Sequence, residues 1–289
     1  MKVRHYLLAL LTSLLWGGNF ISAKYGVDDF GIFGFSFVRA VLVGIFLVPY
    51  IKLKQIVLKD TIKIAAVYGI GFLTFINFGL LYTDNLSLTV ILVQTSAPIG
   101  TVLSYLYFRE KITKREAFGM FISFVGVIIL VGAPSTSTSV FSIFATLVAA
   151  FSQAWQMILV RKHTKNVDTM NLLALIHILN IPLFLITAVI FDNMSLEFLT
   201  TIKPTGWIAP LYTSIASTVI GFGIWFNLLK KYSVNQVIPF MIFVPFFGVL
   251  LSVLFFKSDI TSNIIFGGFT IILGLALLQF HHLFKQRAQ

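Results

Sequence analysis

Ten apolar stretches, each close to twenty residues long, follow one another along the chain and constrain its fold more than any other feature. A membrane-spanning helix needs ~20 largely apolar residues. The stretches cover 6–23, 31–50, 64–82, 86–107, 117–132, 141–160, 172–191, 207–229, 235–256 and 262–280. They lack the period-two alternation of membrane barrel strands. Because only helices and closed barrels satisfy every backbone group in lipid, the pattern predicts an all-α polytopic membrane protein with ten transmembrane helices.

The composition agrees with a lipid environment. Hydrophobic residues make up 58% of the 289 residues and charged residues only 11%, whereas a soluble domain is roughly half apolar and a quarter charged. The basic and then apolar start, Met1 to Leu15, has a poor cleavage pattern for a signal peptide and is interpreted as part of the first helix. Cysteine is absent, which excludes disulfides and thiolate chemistry.

The basic residues predict the orientation of the helices. Seventeen of the 21 Lys and Arg residues fall at the two termini and in the even-numbered loops of the ten-helix arrangement, while Lys24, Lys203 and Lys257 fall on the other side. Cytoplasmic loops carry the Lys and Arg excess, so both termini are expected in the cytoplasm. Topology therefore accounts for the net charge of +11, and no nucleic-acid partner is expected.

The two halves of the chain resemble each other. The segments Leu103–Leu130 and Leu251–Leu278 share an Ile-Thr pair and two glycines seven residues apart, and thinner matches pair Trp16 with Trp155 and Asn77 with Asn227. We predict two five-helix repeats, 1–135 and 140–289. Because five is odd, the halves must be inverted in the membrane. Inverted repeats are typical of alternating-access transporters, whose substrate site lies near the bilayer midplane.

These features resemble the EamA branch of the drug/metabolite transporter superfamily. The residues that carry the resemblance are Leu15–Phe20 (Leu-Trp-Gly-Gly-Asn-Phe) with Lys24, Phe37–Arg39, Phe108–Glu110, Thr218–Trp225 and Val244–Pro245. Within this branch the chain is most similar to bacterial exporters of cysteine and O-acetylserine. One departure is that Ser258, followed by Asp259, stands where the family usually repeats the glutamate that matches Glu110.

The resemblance implies a multi-pass transporter of the bacterial inner membrane that exports small metabolites, amino acids or their derivatives, by alternating access. A carrier of drugs, nucleosides or other metabolites is the nearer alternative, and an intramembrane enzyme is the remote one. The expected partners are a small-molecule substrate and the lipid bilayer. No cofactor, no metal and no catalytic residue is expected.

Intramembrane amides and tryptophans are the candidate substrate-binding residues, because an amino acid needs polar partners inside the membrane. The candidates are Trp16, Asn19, Asn77, Gln94, Trp155, Trp225 and Asn227. Asn19, Gln94 and Asn227 fall on helices that line the cavity in the family that the chain resembles. Amides also join helices to each other in lipid, and tryptophans also pack, so purely structural roles remain open.

Arg39 and His177 are the candidate gating or charge-compensating residues. Placing Arg39 inside a span costs roughly 2.5–3.5 kcal/mol on insertion scales, so it must face the interior, a cavity or a partner. It binds a carboxylate or acts as a gate, and the alternative is that it bonds helix-end carbonyls or snorkels from a shifted span. His177 either shuttles protons or bonds a neighbouring helix as a neutral imidazole. The ten acidic residues all fall in loops or at helix ends, so no embedded carboxylate is expected to carry protons.

Pro98, Pro239 and Pro245 interrupt the fourth and ninth predicted helices, which are counterparts in the two repeats. Proline removes an intrahelical hydrogen bond and kinks the helix. Interrupted helices at corresponding places indicate a transporter's binding site, although a static kink is the alternative.

Overall fold

The computed structural model describes residues 1–52, 57–109, 111–131, 139–163, 167–232 and 237–285, and these ranges contain helices and no strand. A short helix, Leu196–Thr201, lies outside the longer series. The longer helices are α1 Val3–Phe30, α2 Ile32–Leu47, α3 Leu58–Leu81, α4 Leu86–Phe108, α5 Lys114–Val131, α6 Val140–His163, α7 Thr169–Phe191, α8 Ile208–Lys231, α9 Phe243–Phe256 and α10 Ser262–Lys285.

Seven helices in the described part of the chain are long and apolar enough to cross a membrane, namely α1, α2 with its extension to Tyr50, α3, α4, α6, α7 and α8. Phe240–Phe256 and Ser262–Leu278 are shorter apolar helices. Helix α5 begins with three charged residues, Lys114, Arg115 and Glu116. The prediction of an all-α, multi-pass membrane protein is confirmed, and the count of ten spans stays a prediction.

Helices α4 and α9 are tightened at corresponding places. A 3-10 turn, Val93–Thr95, interrupts α4, and another, Ile238–Ile242, precedes α9. Pro98 is the third residue of the α-helical segment after the first turn, and Pro245 is the third residue after the second. Because proline has no N–H, the carbonyl four residues earlier loses its α-helical donor, which accounts for the irregular turn just before each proline.

Helices α3 and α8 each contain a π-helical segment, Val67–Leu73 and Tyr212–Gly221. Threonine side chains support both segments by donating to a carbonyl five residues earlier. Thr74 Oγ1 donates to Gly69 O at 3.0 Å, and Thr218 Oγ1 donates to Thr213 O at 2.7 Å. Such widened turns are rare and occur frequently at functional sites.

Helices from the first half of the chain pack mainly against helices from the second. Helix α1 contacts α8 and α9, α2 contacts α7, and α5 contacts α10, while α6 contacts α3 and α4. These contacts are symmetric under exchange of the two halves. The contacts of α1 with α8 and α9 correspond to those of α6 with α3 and α4, and α2–α7 and α5–α10 each pair a helix with its own counterpart. Gly119 packs against the backbone of Gly274, and Gly126 against that of Gly267, so α5 and α10 run antiparallel.

The outer surface of this bundle is apolar. Phe121 on α5 and Phe269 on α10 are each 65% exposed, and Ile128 is 71% exposed. By contrast, Phe30 and Phe35, at the α1–α2 junction, are fully buried in the largest apolar cluster, together with Val90 of α4. Large exposed apolar side chains over long helices are expected of a protein whose outer face contacts lipid.

Candidate functional site

The candidate site is built on the π-helical segment of α8, whose hydroxyl side chains are buried. Thr213, Ser214, Ser217 and Thr218 are each at most 3% exposed. This segment packs against α1 on one side and α2 on another. Polar groups at such depth need hydrogen-bond partners. The hydroxyls of Thr213 and Thr218 find theirs in α8 itself and that of Ser214 in α2, and α1 bonds a backbone carbonyl of the segment.

On the α1 side, Trp16 binds the backbone of the π segment. Its Nε1 donates to Ser217 O at 3.1 Å, and its ring lies 5.2 Å from that of Trp225. Gly221 makes room for this indole, because a Cβ there would lie 2.9 Å from Nε1. At the preceding residue of α1, Leu15, the backbone carbonyl accepts a hydrogen bond from the Tyr212 hydroxyl at 3.2 Å. An aromatic cluster therefore joins α1 and α8 near the middle of both helices.

On the α2 side, Arg39 lies near the middle of its helix and is only 8% exposed. Its Nη2 donates to Thr218 Oγ1 at 3.4 Å, and Ser214 Oγ donates to Arg39 O at 3.4 Å. Arg39 Nε is buried and has no hydrogen-bond partner among the described residues. Within the same residues, no carboxylate forms an ion pair with the guanidinium.

Asn19 and Gln94 retain unused polar atoms. Asn19 Oδ1 is buried, and nothing in the described part of the chain donates to it. Gln94 is half-buried, and among the described residues its Nε2 donates only to Val90 O in its own helix, at 3.4 Å. Both amides therefore have hydrogen-bonding capacity that a substrate could use.

Three other candidates lie away from the π segment of α8. Asn77 is 2% exposed, and its Nδ2 donates to Ile32 O at 3.1 Å and to Ser36 Oγ at 2.9 Å, so it joins α3 to α2. Trp155 packs edge-on against Tyr107 at 4.8 Å. Asn227 is exposed. The structure brings Trp16, Trp225 and Arg39 together around α8, and it leaves these three elsewhere.

A counterpart of this arrangement surrounds the π segment of α3. His177 is 1% exposed, its Nδ1 lies 2.8 Å from Leu173 O, and its Nε2 lies 3.5 Å from the Tyr68 hydroxyl. Asn180 Nδ2 donates to Ala65 O at 2.9 Å, and its side chain packs against Gly69. A carbonyl only accepts, so His177 Nδ1 carries the proton, and the ring joins α7 to α3.

The three prolines occupy the tightened regions of α4 and α9. Pro98 and Pro245 are buried, and Pro239 lies in the 3-10 turn before α9, with its side chain outside the described residues.

In the described part of the chain, no group of three His, Cys, Asp or Glu residues is placed to hold a metal ion.

The hydroxyls of the π segment were missed by the reasoning from sequence. Thr213, Ser214, Ser217 and Thr218 are clustered within six residues of an otherwise apolar span. That clustering was the available signal, because Ser and Thr side chains inside a span often hydrogen-bond to a neighbouring helix. That neighbour is Arg39, which precedes Thr218 by 179 residues, so the sequence does not indicate that the two are in contact.

Comparison with known proteins assigns the chain to a family. The EamA-like transporter family matches residues 3–132 and 140–280. A probable amino-acid metabolite efflux pump of Escherichia coli is 26% identical over 95% of this chain and 94% of its own length. The protein of the same description from Salmonella typhimurium is 24% identical over 93% and 92%. An uncharacterized transporter of Bacillus subtilis is 25% identical over 93% and 94%.

A solved structure shares the fold. It is described only as the crystal structure of a protein, and it superposes with a TM-score of 0.63 at 15% identity, covering 96% of this chain and 98% of its own. The family match extends over both halves of the chain, from α1 to α10. The chain therefore belongs to the EamA-like transporter family.

Proposed function

We propose that the protein is a ten-helix carrier made of two inverted five-helix halves, 1–135 and 140–289. It exports small metabolites from the bacterial cytoplasm, amino acids or derivatives such as cysteine and O-acetylserine. The observation that carries the proposal is the exchange symmetry of the main helix contacts between the halves. The contacts of α1 with α8 and α9 have counterparts in those of α6 with α3 and α4, and α2–α7 and α5–α10 are pairs of counterpart helices.

Local structure supports the inverted relationship. Helices α5 and α10 are counterparts and run antiparallel through the Gly119–Gly274 and Gly126–Gly267 contacts. Arg109 and Lys257, 148 residues apart, end α4 and α9 with left-handed φ angles of 56° and 51°. Pro98 and Pro245 are each the third residue of the α-helical segment that follows a 3-10 turn. Inverted halves rock against each other around a midplane site in alternating-access carriers.

The relatives support the substrate class. Two relatives that match nearly the whole chain are named probable amino-acid metabolite efflux pumps. In this chain, the free polar atoms of Asn19 and Gln94 and the aromatic pair Trp16–Trp225 supply the hydrogen bonding and ring contacts that a small zwitterion needs. We propose these four as substrate contacts. Asn77 and Trp155 join helices instead, and Asn227 is exposed.

The location and the alternatives follow from the same features. We propose the inner membrane with both termini in the cytoplasm, because of the Lys and Arg distribution. A drug or nucleoside carrier of the same superfamily is the second candidate, since aromatic surfaces such as Trp16 and Phe222 also contact flat ligands. Membership of a transporter family favours a carrier over an intramembrane enzyme.

The test is counterflow in liposomes that contain the purified protein and a high internal concentration of one unlabelled amino acid. We expect labelled cysteine or O-acetylserine to accumulate only when the internal compound is present, with protein-free liposomes as the control. Accumulation of nucleosides or drugs instead would favour the second candidate. If no compound accumulates in liposomes that contain folded protein, the carrier function is contradicted.

A further inference from the structure

Arg39 carries a positive charge into the interior of the bundle without a described counter-charge. It is 8% exposed and lies near the middle of α2. The described carboxylates lie in loops or at helix ends, and the ion pairs they form involve other residues. A buried charge is costly unless it is paired and hydrogen-bonded, so an anionic ligand beside the guanidinium would lower this cost.

The geometry of the guanidinium indicates which partner fits. Of its five N–H groups, only one, on Nη2, has a described partner, Thr218 Oγ1, at the long distance of 3.4 Å. Nε has none among the described residues. Nε and Nη2 share one edge of the guanidinium plane, and that edge is the one that binds the two oxygens of a carboxylate side by side.

Arg39 and Trp16 contact neighbouring residues of the π segment of α8. Thr218 gives its own hydroxyl proton to Thr213 O at 2.7 Å, so its oxygen is free to accept from Arg39. The 3.4 Å length of that contact makes it weak enough for a carboxylate to replace. Trp16 bonds the adjacent residue, Ser217, which places the aromatic cluster of α1 one residue along the π segment from the contact of Arg39. Arg39 and Trp16 therefore contact α8 at the same depth, Arg39 from the α2 side and Trp16 from the α1 side.

We propose that Arg39 binds the carboxylate of the transported compound through Nε and Nη2, and that this contact restricts the carrier to substrates with a free carboxylate. The proposal rests on the function proposed above and adds the group that determines its substrate class. Amines and carboxamides lack the anionic oxygens, and the positive charge of Arg39 disfavours cations. Binding displaces the contact with Thr218.

A binding experiment tests the proposal without requiring transport. The melting temperature of the purified protein in detergent is measured with glycine, alanine, serine, leucine, phenylalanine and O-acetylserine, each beside its carboxamide. We expect at least one carboxylate to raise the melting temperature of the wild type, and its carboxamide to have no effect. From the strength of hydrogen bonds to charged groups, we expect Arg39→Gln to weaken carboxylate binding about tenfold or more.

Two further variants control the result. Lys59→Gln removes the same charge from an exposed position at the start of α3 and should leave the affinity unchanged. Arg39→Lys keeps the charge without the side-by-side edge, so its affinity should fall between those of the wild type and Arg39→Gln. If Arg39→Gln does not fold, the decrease in Arg39→Lys relative to Lys59→Gln decides the question.

The possible outcomes separate this proposal from the carrier function. It is overturned if no carboxylate binds, if carboxamides stabilise the wild type equally, or if Arg39→Gln keeps the preference. Counterflow of neutral or cationic compounds with no preference for carboxylates would retain a carrier and reject this role of Arg39. Carboxylate binding that depends on Arg39, in a protein that transports nothing, would retain the binding site and reject the carrier.

Discussion

Asp192 caps a helix that begins 160 residues earlier in the chain. Its Oδ2 accepts hydrogen bonds from the backbone N–H groups of Gly34 at 2.8 Å and Phe33 at 2.7 Å, in the first turn of α2. Gly31, at the N-cap of α2, has φ 77° and no side chain, and a Cβ there would overlap the Asp192 carboxylate. The residue that follows α7 thus supplies the cap that α2 lacks, which ties the two halves together at one membrane face.

Removing this cap should destabilise the protein. We expect Asp192→Ala to lower the free energy of unfolding by about 1 kcal/mol, the usual value of a helix cap. Asp192→Asn keeps an oxygen that accepts from the same N–H groups, so it should cost less. Melting temperatures in detergent measure both. Equal losses in the two variants would contradict the capping role.

The same carboxylate should make stability depend on pH. Burial raises the pKa of Asp192 above its ordinary value of 3.8, although the hydrogen bonds from Gly34 and Phe33 act in the opposite direction. In the window above 3.8, the folded protein then binds more protons than the unfolded chain, so the contribution of this group to stability falls as pH rises through the raised value.

We therefore expect the wild type to lose more stability than Asp192→Asn between about pH 4 and pH 6, the range just above the ordinary carboxyl pKa. Melting temperatures at a series of pH values measure the difference. Asp28→Asn, which alters an ion pair with Lys24 on α1, is the control and should follow the wild type. Parallel curves for the wild type and Asp192→Asn would contradict the prediction.

The contact between α5 and α10 should not tolerate a side chain. A Cβ at Gly126 would lie 2.7 Å from Ile271 N and 2.8 Å from Gly267 O, and neither backbone atom can move freely. We expect Gly126→Ala to destabilise the protein by roughly 1–3 kcal/mol, as other overpacked interiors do. Gly100→Ala is the matched control, because its Cβ would meet only Ala154 Cβ at 3.8 Å. Alanine is the better helix former, so Gly100→Ala should not be destabilised, and a similar loss in both variants would contradict the role of close packing at Gly126.

The prolines of α4 and α9 should matter for transport more than for folding. Pro98→Ala and Pro245→Ala each restore an N–H that can reach the carbonyl four residues earlier. We expect stability within about 1 kcal/mol of the wild type and a several-fold slower counterflow, because a straightened helix changes the wall of the midplane site.

Pro210→Ala is the control for this experiment. Pro210 lies in the first turn of α8, where the missing N–H has no helical partner to lose, so its counterflow should stay near that of the wild type. Unchanged counterflow in Pro98→Ala and Pro245→Ala would assign both residues to static kinks.

The hydropathy of the chain predicts where the helices lie because lipid imposes one length and one polarity on every span. The predicted stretch 172–191, for example, corresponds to α7, Thr169–Phe191. Hydropathy does not predict the π segments of α3 and α8, because it carries no information on side-chain hydrogen bonds such as that of Thr218 to the carbonyl five residues earlier.

The site was only partly predictable for a related reason. Residue type identifies Arg39 and Trp16 as unusual inside a span, but their contacts with Thr218 and Ser217 depend on which helices become neighbours. The pairing of Asn77 with Asn227 in the repeat also does not extend to their surroundings, because Asn77 bonds α2 and Asn227 is exposed.

The inverted relationship of the halves is the central claim, and single-cysteine labelling tests it most directly because the natural chain has no cysteine. Arg109→Cys and Lys257→Cys place one thiol each at exposed, corresponding helix ends. A membrane-impermeant maleimide is applied to intact cells and to inside-out vesicles. The account predicts that the thiol at 257 reacts in cells and the thiol at 109 in inside-out vesicles. Reaction of both from the same side would contradict it.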